Sequence, residues 1–145
     1  IQNKKARFEF EILDKFVAGI QLTGTEIKSI RLSQARITES FCEFNEGGEL
    51  FIVNMYIQEY MFGHHFNHKP KSERRLLLNK RELRSLKRDV EAKGNTIVPL
   101  KLFINDRGFA KLEIALAKGK QTHDKREVIK DRDNKRDLAR IKKNF

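Results

Sequence analysis

TIVPLKLFI and FAKLEIALA, residues 96–104 and 109–117, stand on either side of NDRG, and this arrangement leaves few options for local structure. Ala110, Leu112, Ile114 and Leu116 recur at every second position, which places them on one face of an extended strand. Asn, Asp and Gly supply the turn chemistry between two such runs, so the segment predicts an antiparallel hairpin. The pattern recurs upstream, where ARITESFCEF and ELFIVNMYI flank NEGG, a second hairpin with a turn suited to positive φ. FEFEIL puts Phe8, Phe10 and Ile12 on one strand face and turns Glu9 and Glu11 to solvent, and GIQL adds a short run between Gly19 and Gly24. Six short strands with a helix between the fourth and fifth predict a small closed β-barrel, mainly β with flanking helices, because closure removes edges that would otherwise pair with other chains.

Two segments read as helices. TEIKSIRLS carries Ile27 and Ile30 at helical spacing. NKRELRSLKRDVEAKG has Asn79 as a cap, Glu82 three residues on as in a capping box, Gly94 as its stop, and Leu83, Leu86 and Val90 as its buried stripe. Between them, QEYMFGHHFNHKPKSERR has no sustained period and contains Gly63 and Pro70, so it reads as a long connecting loop of the kind that often carries function.

Charge separates the chain into two parts. Of the net +11, the last 27 residues carry +5 on ten Lys or Arg and five Asp or Glu. Their sizeable apolar groups are only Val128, Ile129, Leu138, Ile141 and Phe145. Ordering a backbone costs about 1–2 kcal/mol per residue, and five buried side chains return roughly 2 kcal/mol each, so this tail needs an external surface to fold on. The division predicts a barrel over residues 1–118 and a basic tail over 119–145. A polyanionic partner follows, with nucleic acid favoured over a ribosomal or anionic-membrane surface. No apolar run approaches the roughly 20 residues of a membrane span, and IQNKKARFEF lacks the apolar stretch of a signal peptide, so a cytoplasmic protein is expected. The single cysteine, Cys42, excludes an internal disulfide and a cysteine zinc site and reads as a buried strand thiol.

Candidate chemistry is sparse. His64 and His68 of HHFNH would share a face if helical, but Gly63 and Pro70 oppose a helix, and neither these nor His65 has a second ligand set nearby, so no metal and no cofactor is expected. No nucleophile elbow or phosphate-cradling loop is present. Glu26 is followed by Lys28 and Arg31, and one turn of helix is expected to gather the three into a polar site. Alternatively, Glu26 is a carboxylate complementing its helix dipole. Asn79 likewise serves either as a cap alone or as a capped terminus beside Arg74, Arg75, Lys80 and Arg81 that meets phosphate.

NKKARFEFEIL, AGIQLTGTEIKSIR, FNHKPKSERRLLLNKREL, TIVPLKLF and ALAKGKQTHDKR, taken in order over nearly the whole chain, resemble the small protein B family, the tmRNA-binding proteins of bacteria. The resemblance implies a β-barrel of oligonucleotide-binding type, no covalent chemistry, and delivery of tmRNA to stalled 70S ribosomes. Matching motif to motif, it implies an RNA patch that includes Glu26, Leu77 and Asn79, beside which Lys28 and Arg31 stand as further candidates. It implies a ribosome-engaging motif of Asp124, Lys125 and Arg126, a pivot at Gly119, and a planar His123 able to stack on a 16S rRNA base near the decoding centre. The tail is expected to be disordered when free and helical in the empty mRNA channel. As a helix it would align Arg132, Arg136 and Arg140 on one face, with Ile141 opposite. A monomer is expected. The competing readings are a permanent ribosomal protein and a small metal-dependent ribonuclease using the histidines.

Overall fold

The computed structural model describes residues 1–119. Six strands close into an antiparallel barrel: β1 (Phe10–Ile20), β3 (Phe41–Phe44), β4 (Leu50–Val53), β6 (Arg74–Leu77), β7 (Thr96–Ile104) and β8 (Ala110–Gly119), in the spatial order β1-β6-β4-β3-β7-β8. Outside the ring, β2 (Ala35–Arg36) pairs with β5 (Tyr56–Ile57). Both expected hairpins form. Gly48 (φ 82°) and Gly108 (φ 86°) provide the left-handed residue of each turn, and Asn105 Oδ1 accepts from Phe109 N at 2.9 Å to close the second. Ala110, Leu112, Ile114 and Leu116 are buried as the alternation requires, and Cys42 lies buried on β3, where desolvation pushes its thiol well above the ordinary cysteine range.

The helices follow their caps. α2 (Gly24–Arg31) starts at Thr23, whose hydroxyl accepts from Glu26 N while the Glu26 carboxylate accepts from Thr23 N. α3 (Lys80–Lys93) starts at Asn79 with the same reciprocal bonds to Glu82 and stops at Gly94 (φ 67°). Its Leu86 is buried in the barrel core, with Leu83 and Val90 packed alongside.

Three expectations are corrected. Phe8 does not begin a strand: Asn3 caps a short helix, α1 (Lys4–Glu9), which leaves Phe8 exposed, and β1 starts two residues later. Phe10 and Ile12 then pack outside the barrel with Ala6, Val98, Leu100, Ala115 and Ala117. A register shift between Ile12 and Asp14 sends Phe16, Ala18 and Ile20 to the inner side instead, as a β-bulge does by inserting one unpaired residue. The second correction concerns GIQL, which is no separate strand, because Gly19 and Ile20 finish β1. The sixth ring strand is β6, within the stretch read as connecting loop and helix approach. Third, the two runs around NEGG are each broken. Asn54 adopts φ 67° and donates from Nδ2 to Glu39 O, which splits ELFIVNMYI into β4 and β5 and lets β5 leave the ring for β2.

Candidate nucleic-acid interface

α2 and β6 each present one side to the interior and one to solvent, and the expected site residues divide between these sides. At the third residue of α2 the Glu26 side chain turns inward, only 3% of the residue exposed. Its Oε1 accepts from Thr23 N at 2.8 Å and its Oε2 from Arg74 Nε at 2.6 Å. Arg74 is equally buried, and its other nitrogens donate to the carbonyls of Met55 (2.6 Å), Pro70 (3.1 Å) and Lys69 (3.2 Å). A buried charge is tolerated only when paired and hydrogen-bonded. This pair meets that condition and ties α2, β6, the backbone at Met55 and, in the long loop, the backbone at Lys69 and Pro70 into one knot.

His68 extends the knot. Its Nε2 donates to the Ile57 carbonyl at 2.9 Å, which leaves Nδ1 to accept from the Thr25 hydroxyl at 3.0 Å. Both ring nitrogens are thereby engaged inside the fold, and the segment containing His64 is a single turn of 3-10 helix, His64–Phe66, not an α-helix that would align His64 with His68. No group of His, Cys, Asp and Glu among the described residues is arranged to hold a metal ion.

The expected gathering of Glu26, Lys28 and Arg31 does not occur. At 100° per residue, positions 28 and 31 lie about 200° and 140° around the helix from position 26. Lys28 instead sets its ammonium over the Tyr60 ring, 5.5 Å from the centroid, and Arg31 reaches across to donate to the Gly108 carbonyl at 3.3 Å.

On the outer side, Arg31 meets Leu77. β6 alternates so that Arg74 and Leu76 face inward while Arg75 and Leu77 face out, and Leu77 is left 44% exposed. It forms the floor, with Ile20, Leu22 and Ile27, of a groove of about 360 Å³. Arg31, Lys111 and the exposed Phe109 form the rim. The Lys111 ammonium is held close over the floor: a Cβ on Gly19 would lie 3.7 Å from it and 3.5 Å from Leu77 Cβ. An apolar floor, a flat aromatic and two cations are the components with which proteins bind a single-stranded nucleotide.

Asn79 stands two residues beyond Leu77 at the exposed start of α3. Its Oδ1 accepts from Glu82 N at 2.8 Å, which occupies the cap function, while its Nδ2 has no partner among the described residues. Lys80 and Arg81 beside it are exposed, whereas Arg75 pairs with Glu49 at 3.2 Å. Gly119 is the last residue of β8, paired with Phe10. His123, Asp124, Lys125, Arg126, Arg132, Arg136, Arg140 and Ile141 lie outside the described residues. Reading the sequence missed Phe109 and Lys111, and it set Arg74 in a phosphate-meeting cluster beside Asn79, whereas Arg74 is buried against Glu26 and only Lys80 and Arg81 of that cluster stand exposed and without an ion-pair partner among the described residues. Phe109 was accessible, since the alternation that buries Ala110 turns its neighbour outward. Arg74 was misplaced because nothing in RRLL says which arginine faces in.

Comparison with known proteins covers the whole chain. A family model described as SmpB protein matches residues 1–144. An SsrA-binding protein of Flavobacterium psychrophilum is 68% identical over 145 residues, covering 100% of this chain and 96% of the relative. One from Bacteroides thetaiotaomicron is 52% identical over 141 residues, covering 97% of this chain and 93% of the relative. Among solved structures, one described as "tmRNA-SmpB: a journey to the center of the bacterial ribosome" contains a chain that superimposes with a TM-score of 0.70 at 46% identity, covering 89% of this chain and 93% of that one.

Proposed function

The chain belongs to the SmpB protein family, and from that premise we propose that it binds tmRNA through the groove at Leu77 and delivers it to stalled ribosomes. The observation that carries the reading is the exposure of Leu77 between two cations, in a member of a family whose relatives bear the name SsrA-binding protein. Leu77 and Phe109 offer apolar and stacking contacts to a base, Arg31 and Lys111 meet phosphates, and Asn79 donates from its free Nδ2. Lys28 lies on the same helix as Arg31 and adds to the positive field. Glu26 belongs to the interface by positioning: its bonds to Thr23 and Arg74 fix where α2 and β6 hold Arg31 and Leu77.

The basic tail from Gly119 onward performs the ribosomal half of the task in the cytoplasm. Asp124, Lys125 and Arg126 engage the decoding centre, with His123 stacking on an rRNA base. Arg132, Arg136 and Arg140 line one helical face along an mRNA channel that is open only when messenger is missing, and Ile141 packs on the other. The charge of this segment, +5 in 27 residues with little to bury, supports coupled folding and binding on RNA. Truncation after Lys118 separates the two halves. The shortened chain is expected to retain tmRNA affinity within about tenfold, or 1.4 kcal/mol, in a gel shift at fixed salt, while peptide tagging on stalled ribosomes is lost. Replacement of Asp124, Lys125 and Arg126 together by Ala is expected to do the same, and tagging that survives it contradicts the role assigned to them.

A further inference from the structure

The loop between β5 and β6 is constructed with more care than a connector needs. Asn67 clasps its base: Oδ1 accepts from Tyr60 N at 2.9 Å and Nδ2 donates to Tyr60 O at 2.7 Å, reproducing one rung of an antiparallel ladder with a side chain. Inside the clasp, Gly63 N donates to Tyr60 O and Phe66 N donates to Gly63 O, both at 3.0 Å. Any side chain on Gly63 would collide with the clasp, since its Cβ would fall 2.6 Å from Asn67 Nδ2 and 2.8 Å from Cγ. Behind it, His68 fastens the loop to β5 and α2.

What this frame displays is apolar. Met61 is 74% exposed, Phe62 66% and Phe66 88%. Tyr60 and Phe62 stand edge to face at 5.6 Å. Large exposed apolar groups gathered within one short, tightly bonded loop mark an interaction surface, and the charges around them indicate the occupant. Lys28 sits over the Tyr60 ring and Arg36 over the Tyr56 ring at 4.4 Å, and both tyrosines line a cleft of about 480 Å³ with Gln58 and Pro70. Lys69 and Lys71 stand exposed on its flank, and Glu59 is the only acidic residue from 58 to 72. Flat rings framed by cations match a polyanion that carries flat apolar faces.

We propose that residues 60–66 form a stacking platform for unpaired RNA bases, distinct from the groove at Leu77, with which the cleft shares no lining residue. Phe62 and Phe66 supply the stacking faces, and Lys28, Lys69 and Lys71 attract the backbone. The platform rests on the reading of the chain as RNA-binding but not on the groove, so the two fail separately.

The test uses the full chain, a labelled unstructured ten-nucleotide RNA, a ten-base-pair RNA duplex, and about 0.2 M salt to weaken backbone attraction. Phe62→Ala with Phe66→Ala is expected to weaken single-strand binding at least about fivefold, the lower end of what losing a base–aromatic stack costs. Duplex affinity should stay within about twofold and the thermal midpoint should not move, because both rings are exposed. Phe62→Leu with Phe66→Leu should lose single-strand binding as well, since leucine keeps apolar area without a flat face. Unchanged single-strand affinity in the alanine variant overturns the platform, as does an equal loss on duplex. Full affinity in the leucine variant overturns it in favour of generic apolar contact. Self-association of the wild type that the alanine variant abolishes overturns it in favour of a protein interface. Leu77→Ala serves as the control for the groove: if it alone weakens tmRNA binding while the loop variants leave both probes unaffected, the groove stands and the platform falls.

Discussion

The inner and outer sides of β6 carry opposite chemistry to what their exposure suggests. Inside, Arg74 is buried against a buried glutamate; outside, three residues along, Leu77 stands in water. The inner side can hold a charge because Glu26 and three backbone carbonyls replace the water that Arg74 gave up. The outer side keeps a leucine exposed because, on the account proposed here, its cover is RNA. Polarity by itself therefore points to the wrong face of this strand for the structural element and, on the same proposal, for the binding element. Glu26, expected to meet RNA, acts as a clamp on Arg74 and Thr23.

The comparison breaks most visibly at the clamp. Glu26→Ala removes one partner of a buried ion pair and leaves Arg74 uncompensated, a change that costs about 3–5 kcal/mol. Urea unfolding should show that loss, with tmRNA affinity falling because α2 and β6 no longer hold the groove. A variant that unfolds like wild type yet fails to bind would move Glu26 from clamp to direct contact.

A smaller effect is expected at the groove rim. Arg31→Ala with Lys111→Ala should weaken tmRNA binding about tenfold and lower the slope of log affinity against log salt by about two, one per lost phosphate contact, with little change in stability. A slope that stays the same would place the phosphates elsewhere on the basic surface.

Asn79→Asp sharpens the comparison with the least perturbation. Aspartate is as good a cap as asparagine, so unfolding should be unaltered, while loss of the Nδ2 donor and gain of a negative charge should weaken tmRNA binding by about threefold to tenfold, near 1 kcal/mol for one hydrogen bond. Unchanged affinity would leave Asn79 as a cap only.

The barrel was legible wherever one side of a strand is apolar. The β7–β8 hairpin, the α3 caps and stripe, and buried Cys42 all follow from period, turn residues and caps that act locally. The misreadings lie where a distant contact decides. Phe8 went to a helix because Asn3 caps it against β7, donating from Nδ2 to Pro99 O across the fold. β6 escaped notice because its inward face needs a partner 48 residues away to make an arginine acceptable. The candidate binding residues Glu26, Leu77 and Asn79 were named by family motif, and only the assembled structure separated Glu26, facing in, from Leu77, facing out. Phe109 and Lys111 reach the groove from the far hairpin, a juxtaposition that no local pattern encodes.

The most direct test of the groove is tmRNA affinity and unfolding free energy measured together on Leu77→Ala. An exposed leucine contributes little to the fold, so the account predicts affinity at least about tenfold weaker, 1.4 kcal/mol, with unfolding free energy within about 0.5 kcal/mol of wild type. Wild-type affinity in a stably folded variant would contradict it, and so would a loss of affinity that appears only in step with lost stability.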